Sequence, residues 1–266
     1  NSDKTGVVKG AAISAQDDGK TEVTAGEGGI KARDAGNGNT FAVDIVGSAG
    51  EVSCQTKGMI SGETKTGSAG GIGISAVEDV SVDISAAGVS AVTPEGGDAS
   101  ALTLSIDDEA SVKMTAGEKG ISASSKGDGR GAFGIRNIQY GGTVEITSGG
   151  DISAETTGDQ HGFARTISAN VFDDSSMKVK ADGSITATTA DDGEAVAVDL
   201  ELFGADADIR AGKDVKADTK GISLSQNQTW ESTSMTEEQY QAVKDKAYHV
   251  PGDPENVFVY MDRETN

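Results

Sequence analysis

One stretch, Gly142-Thr-Val-Glu-Ile-Thr-Ser-Gly-Gly-Asp-Ile-Ser-Ala154, constrains the fold most, because altered copies of it recur along most of the chain. Val144, Ile146 and Ser148 alternate with Thr143, Glu145 and Thr147, the period-two pattern of a strand with one buried face. A Gly-Gly-Asp turn follows, and Ile152 and Ala154 then flank Ser153 in a second short strand.

The copies align on their first inward residue. Val112–Ala116 leads to Ile121–Ala123, Met177–Ala181 to Ile185–Ala187, and Ala207–Ala211 to Val215–Ala217; Val82–Ala86, Val52–Thr56 and Thr21–Ala25 fit the same frame toward the N-terminus. The anchors at 21, 52, 82, 112, 144, 177 and 207 are separated by 31, 30, 30, 32, 33 and 30 residues. A fixed period near thirty is the mark of an array in which each unit buries its apolar stripe against its neighbours. A third strand precedes each pair, at Phe41–Ile45, Ile72–Ala76, Leu102–Ile106, Phe133–Ile135 and Val196–Leu200, with another copy beginning at Phe163. The prediction is therefore an all-β, single-stranded parallel β-helix of about seven to eight coils of roughly 31 residues, with three short strands each. Helical periodicity is nearly absent before the C-terminus, which argues against helical repeats.

A repeat also explains why 266 residues read as one continuous domain. The solenoid is expected over 1–225, with its first coil beginning near Ala11-Ala-Ile13 and its frame running to about Leu224. Residues 226–266 are expected to form a C-terminal cap or linker. In it Met235, Tyr240, Val243 and Ala247 recur at helical spacing, Thr236 stands as N-cap, and Lys244 and Lys246 suit the helix C-terminus, giving a helix near 236–248 that Pro251 stops. Val257–Tyr260 reads as a short strand. Such a cap would cover the open last coil.

The net charge of −21, from 22 basic and 43 acidic residues, argues against binding nucleic acid or an anionic membrane by bulk electrostatics, and no membrane insertion by this chain is expected. It fits a soluble, secreted or cell-surface protein. The lone cysteine, Cys54, falls on an inward position and reads as a buried, inert thiol, so no disulfide forms within the chain. No apolar run is long enough to span a membrane, and a chain beginning at Asn1 without methionine suggests a removed leader.

With the frame fixed, outward columns can be read. Glu22, Ser53, Asp83, Lys113, Glu145, Lys178 and Asp208 form one, with signs alternating from Asp83 onward, and it reads as a charge ladder. Ser61, Ser90, Ser122, Ser153 and Thr186 form a hydroxyl column, in which the paired threonine rows of an ice-ordering surface occur only at Thr186 and Thr188. Phe41, Ile72, Leu102, Phe133, Phe163 and Val196 recur at the repeat spacing and are expected in the core. Tyr140, Phe172 and Phe203 make a shorter aromatic column: a ligand-binding platform for sugar rings if it faces solvent, a closure of the core if it faces inward.

Little points to catalysis. The Asp-Asp pairs at 17–18, 107–108, 173–174 and 191–192 sit mostly beside Gly or Ser, as turn formers do. Paired carboxylates also serve glycoside hydrolysis and calcium binding. Gly127-Asp-Gly-Arg-Gly131 matches neither an EF-hand loop nor a glycine-rich nonapeptide repeat, so Ca²⁺ stays a possible ligand and no metal residue is assigned. His161 and His249 are too far apart in sequence to suggest a zinc site or a triad. The glycine-rich corners lack the Gly-Lys-Ser/Thr ending of a phosphate loop.

The recurring Gly-x-Val-x-Ile-x-Ser-Gly-Gly-x-Ile-Ser-Ala pattern over residues 6–225 resembles bacterial surface adhesins with a right-handed parallel β-helix. It is also similar to β-helical carbohydrate-binding domains of secreted Gram-positive proteins. That resemblance implies a non-catalytic extracellular module, adhesin-like or a structural stalk, whose partners are host or bacterial surface glycans or proteins. A polysaccharide-binding module, with or without calcium, is the alternative. The third reading is a polysaccharide lyase or glycoside hydrolase, for which Arg136 and Arg165 on neighbouring coils are the nearest approach to a basic cluster.

Overall fold

A computed structural model describes residues 6–16, 18–126, 130–157, 162–190 and 193–226. Their regular structure is entirely β. The eight-stranded sheet A contains β1 (Val7–Ala15), β4 (Asn39–Gly47), β7 (Ala69–Ala76), β10 (Ala99–Asp107), β13 (Gly131–Tyr140), β16 (Phe163–Phe172), β19 (Glu194–Phe203) and β22 (Lys220–Gln226). The seven-stranded sheet B contains β2 (Lys20–Ala25), β5 (Gly50–Thr56), β8 (Val80–Ala86), β11 (Ser111–Ala116), β14 (Thr143–Ser148), β17 (Ser176–Ala181) and β20 (Asp206–Ala211). Sheet C, also of seven strands, contains β3 (Ile30–Asp34), β6 (Met59–Thr64), β9 (Gly88–Thr93), β12 (Ile121–Ser125), β15 (Ile152–Thr156), β18 (Ile185–Thr189) and β21 (Val215–Ala217). Each strand pairs in parallel with the strand three places on, so the chain climbs one strand spacing, about 4.8 Å, per turn. This is a parallel β-solenoid. Its first strand begins at Val7, earlier than the sequence frame places it, because β1 pairs with β4 from Val7↔Asn39 onward. The C-terminal cap, its helix near 236–248 and the strand at 257–260 lie outside the described residues.

The seven anchors fall in register: Thr21 pairs with Val52, Val52 with Val82, and the column continues through Val112, Val144, Met177 and Ala207. Two residues on, Cys54, Ile84, Met114, Ile146 and Val179 stack in a second inward column, and all five are buried. Each such Val, Ile or Met contributes roughly 1.5–3 kcal/mol of burial, an upper figure since unfolded chains already hide part of that surface. Burial raises the Cys54 thiol above its ordinary pKa and keeps it protonated and inert.

The corner from sheet C to sheet A is held by a hydroxyl column, buried at Thr64, Thr93 and Ser125 and half-buried at Thr189. The Thr64 hydroxyl donates to the Gly38 carbonyl at 2.7 Å, Thr93 to Gly97 at 3.0 Å, Ser125 to Gly97 at 2.7 Å and Thr189 to Gly193 at 3.2 Å. Threonine at an apolar-looking position thus satisfies loop carbonyls that the closing turn would otherwise bury unpaired.

Sheet A is creased. At Ala42-Val43, Ala101-Leu102, Gly134-Ile135 and Thr166-Ile167 two consecutive residues are both buried, which interrupts the alternation, and small residues stand at the first position of each pair. The reason is close approach to sheet C. A Cβ at Gly71, in the same column, would meet Val89 Cγ1 at 2.7 Å and the Ser90 carbonyl at 3.1 Å in sheet C, besides the Ala101 carbonyl of the adjoining strand at 2.5 Å; one at Gly134 would meet the Ser153 carbonyl of sheet C at 3.3 Å and the Thr166 carbonyl of the adjoining strand at 2.6 Å.

The crease corrects one expectation. Ile72 pairs with Val43, and Leu102 with Ile72 and Ile135, so the core column runs through these residues. Val196, which pairs with the outward Arg165 while Val198 continues the column, does not belong to it, and neither do Phe41, Phe133 and Phe163. The phenylalanines precede the crease, where strict alternation turns them outward, and they are half-buried on the outer face.

Candidate interaction face

The crease gathers outer side chains. Residues on the two limbs of a strand lean together across it: Ser100 Oγ and Thr103 Oγ1 are 2.8 Å apart and the Arg136 guanidinium lies 5.2 Å from the Phe133 ring centroid, while Lys9 of β1 meets Asp44 of the adjoining β4. Arg165 reaches one coil onward to Asp199 at 3.0 Å, with Glu194 at 4.0 Å. Over β13, β16 and β19 a depression of about 260 Å³ opens beside these groups, lined by Phe133, Arg136, Arg165, Asn170, Asp199 and Glu201 among others. Arg136 and Arg165 both line it, but Arg136 pairs in register with Ser168, and Arg165 with Phe133.

Aromatic residues concentrate here. Every described aromatic residue, namely Phe41, Phe133, Tyr140, Phe163, Phe172 and Phe203, lies on the outer face of sheet A, and the core holds none. Phe41 covers Gly70 on the following strand and Phe163 covers Gly131 on the preceding one, where a Cβ would stand 2.4 Å and 2.3 Å from the rings, so glycine on an adjoining strand leaves room for each phenyl. Phe133 and Phe163 meet edge to face with centroids 5.5 Å apart. Tyr140, Phe172 and Phe203 form a surface stack with centroid separations of 4.7 and 4.6 Å and interplanar angles of 9°. Those separations match the strand spacing, so the rings repeat the solenoid's own translation. The stack turns the faces of Phe172 onto its neighbours and leaves it an edge; Tyr140, 53% exposed, ends the column with its far face turned toward β10.

Beneath this face lies a polar pair that the repeat pattern does not announce. Asn137 and Gln139 are buried where β10 carries Leu104 and Ile106. Asn137 Nδ2 donates to Gln139 Oε1 at 3.2 Å and approaches Met177 Sδ at 3.4 Å, and Gln139 Nε2 donates to the Gly142 carbonyl at 2.9 Å. Asn137 Oδ1 has no partner.

The remaining sequence candidates stand apart from this face. The column from Glu22 to Asp208 is in register along sheet B. Asp208 pairs with its own neighbour Arg210, at 2.7 Å, which with Lys178 holds the Asp208 carboxyl below its ordinary pKa. The hydroxyl column is in register on sheet C. Asp18, Asp108, Asp173 and Asp174 take positive φ, the behaviour of turn formers. Asp17, the pair at 191–192, residues 127–129 and His161 and His249 lie outside the described residues. Among the described residues no three His, Cys, Asp or Glu side chains gather around a common point, and no helix is long and apolar enough to cross a membrane.

No family model, curated protein or solved structure matches the chain.

Proposed function

We propose that the protein is a non-catalytic extracellular binding module, adhesin-like in kind, whose working surface is the outer face of sheet A over β13, β16 and β19. The observation that carries this reading is the placement of every described aromatic side chain on that outer face, five of the six on three successive strands. A solenoid that fills its interior with Val, Ile, Ala and Leu has no packing need for phenyl rings outside, and exposed aromatic surface beside polar groups is the composition of recognition sites. A polysaccharide-binding role is the second reading. It is favoured by Asn170, Ser168, Arg165 and Asp199, hydrogen-bonding groups that line the depression beside the rings.

The test is a binding screen of the whole chain against host and bacterial glycans, with and without calcium, and against surface proteins. Wild type is compared with a Tyr140→Ala/Phe172→Ala/Phe203→Ala variant whose folding is checked by far-UV circular dichroism. Saturable binding that is lost in the folded variant supports the face as the site, and the class of bound partner separates the two readings. Binding that the variant retains in full sinks the assignment of this face.

A further inference from the structure

We infer that the β10-side end of the aromatic stack receives a cationic polypeptide segment, with an arginine guanidinium laid on the open face of Tyr140 and held by Asp107. This rests on sheet A's outer face being the working surface, and adds the chemistry of the partner.

Three observations converge on it. The first is the stack itself. Phe172 has a ring on each side, whereas Tyr140 is covered only from the Phe172 side, and no second ring or cation lies on it among the described residues. An uncovered ring face is the electron-rich part of an aromatic side chain, and it attracts guanidinium both electrostatically and by planar stacking. The spacing of the stack, 4.6 to 4.7 Å, shows that one further planar group would continue the column on the β10 side.

The second is the residue that occupies that level. Asp107 pairs in register with Tyr140, is exposed, and ends β10. One of its carboxylate oxygens accepts the Asp108 backbone N–H at 3.0 Å, and no basic side chain of the described residues pairs with it. Asp108 and Glu109, both exposed, follow it. A guanidinium on Tyr140 would therefore meet an aromatic face and a carboxylate together, the two contacts that favour arginine over the more strongly hydrated lysine ammonium.

Charge complementarity is the third. At −21 the chain repels a second copy of itself and attracts polycations from a distance. Along the outer face the two arginines are already engaged, Arg165 by Asp199 and Arg136 by the Phe133 ring, while Glu201 forms no ion pair among the described residues. A basic segment crossing the strands from Asp107 would approach Glu201 two strands beyond Tyr140.

The experiment titrates the whole chain with fluorescein-labelled oligoarginine and oligolysine of equal length at physiological ionic strength, reading anisotropy. Oligoarginine is expected to bind more tightly than oligolysine. Tyr140→Ala is expected to weaken oligoarginine about fivefold, the worth of one exposed cation–π contact, and Tyr140→Phe to retain it. Asp107→Asn should weaken binding more than Glu145→Gln, which removes the same charge from sheet B. Equal binding by wild type and Tyr140→Ala, or equal effects of Asp107→Asn and Glu145→Gln, overturns the proposal and leaves only diffuse attraction by net charge. If oligoarginine fails while a glycan binds and is lost in the triple aromatic variant, the cation site falls and the interaction face stands; if the triple variant retains every partner, both fall.

Discussion

Along β4, β7 and β10 the outer face of sheet A carries Phe41 over Gly70, then Asp44, Gly73, Ser75, Ser100, Thr103 and Ser105; along β13, β16 and β19 it carries Phe133, Arg136, Tyr140, Phe163, Arg165, Phe172, Asp199, Glu201 and Phe203. Both halves share one crease, and the inner columns beneath them are similar except at Asn137 and Gln139. Two stretches of one sheet thus obey the same packing rules inside and differ sharply outside. Stacking dictates the inner residues, since each must fit the ones above and below at the strand spacing. The outer ones meet a looser demand: the rings stack at the strand spacing or lie over glycines, and their remaining faces and edges stay open to solvent.

The strongest way to break this comparison is to break the crease that both halves share. Gly71→Val adds a Cβ and two methyls against the backbone carbonyls of Ala101 and Ser90, which cannot swing aside, and against the buried Val89 Cγ1. Destabilisation of at least about 3 kcal/mol is expected, with early proteolysis of the neighbouring coils. Gly73→Val is its control. There the added Cβ would meet only side-chain atoms on the outer side, the Phe41 ring at 3.2 Å and Asp44 Oδ1 at 3.4 Å, and a cost under about 1 kcal/mol is expected. Urea midpoints of the two variants decide whether close approach at the crease, and not glycine content as such, shapes sheet A.

Phe172→Ala probes the aromatic half directly. It removes both stacking contacts and the half-buried area of one ring, so a loss of about 2–3 kcal/mol is expected in the same denaturation assay. Val46→Ala, at an exposed apolar position of β4 in the other half, should change stability by less than about 0.5 kcal/mol. Equal effects would mean that the rings contribute nothing beyond surface area.

The buried polar pair is expected to act in the opposite direction. Asn137→Leu with Gln139→Ile restores the residue kinds found in the same columns at Leu104, Ile106, Leu200 and Leu202. Asn137 Oδ1 is already unpaired, and the Gly142 carbonyl keeps the Ser176 N–H at 3.2 Å, so replacing both side chains leaves few orphaned groups. The double variant should be more stable by about 1–2 kcal/mol. A less stable variant would show that the pair serves packing rather than the face above it.

How far the sequence could be read follows from where alternation holds. Sheet B was legible to the residue: from Thr21 to Ala207 its anchors stack as the period-thirty alignment places them, because its strands of six or seven residues keep unbroken alternation and a one-residue slip would turn every inward side chain out. Sheet A was legible as strands but not as faces. Ala42-Val43 and Gly134-Ile135 each put two neighbours inside, and a period-two reading carried across them moves Phe41 and Phe133 from outside to inside. One available signal was the glycines facing the rings: Gly70 opposite Phe41 and Gly131 opposite Phe163 leave room for phenyls lying over an adjoining strand. The stack of Tyr140, Phe172 and Phe203 was visible as a column, but its ring orientation and its uncovered end depend on side-chain angles that spacing does not encode. Asn137 and Gln139 were missed because hydropathy places such residues outside.

The smallest effect is expected in the sheet B charge column, and it separates register from ion pairing. Lys113 stands between Asp83 and Glu145 in adjoining strands, yet among the described residues no ion pair within 4 Å joins it to either. Exposed charges at the strand spacing interact weakly and are screened by salt, so Lys113→Ala should cost no more than about 0.5 kcal/mol. Lys113→Glu is the sharper test, since it sets three acids in register on a chain already at −21. Like charges directly opposite each other destabilise a sheet by up to about 1 kcal/mol, and added salt should recover most of that loss. A salt-independent loss would point instead to the packing of the lysine's methylene chain along the sheet. In that case the outer face of sheet B, like that of the aromatic half of sheet A, would contribute to stability through contact area and not through charge.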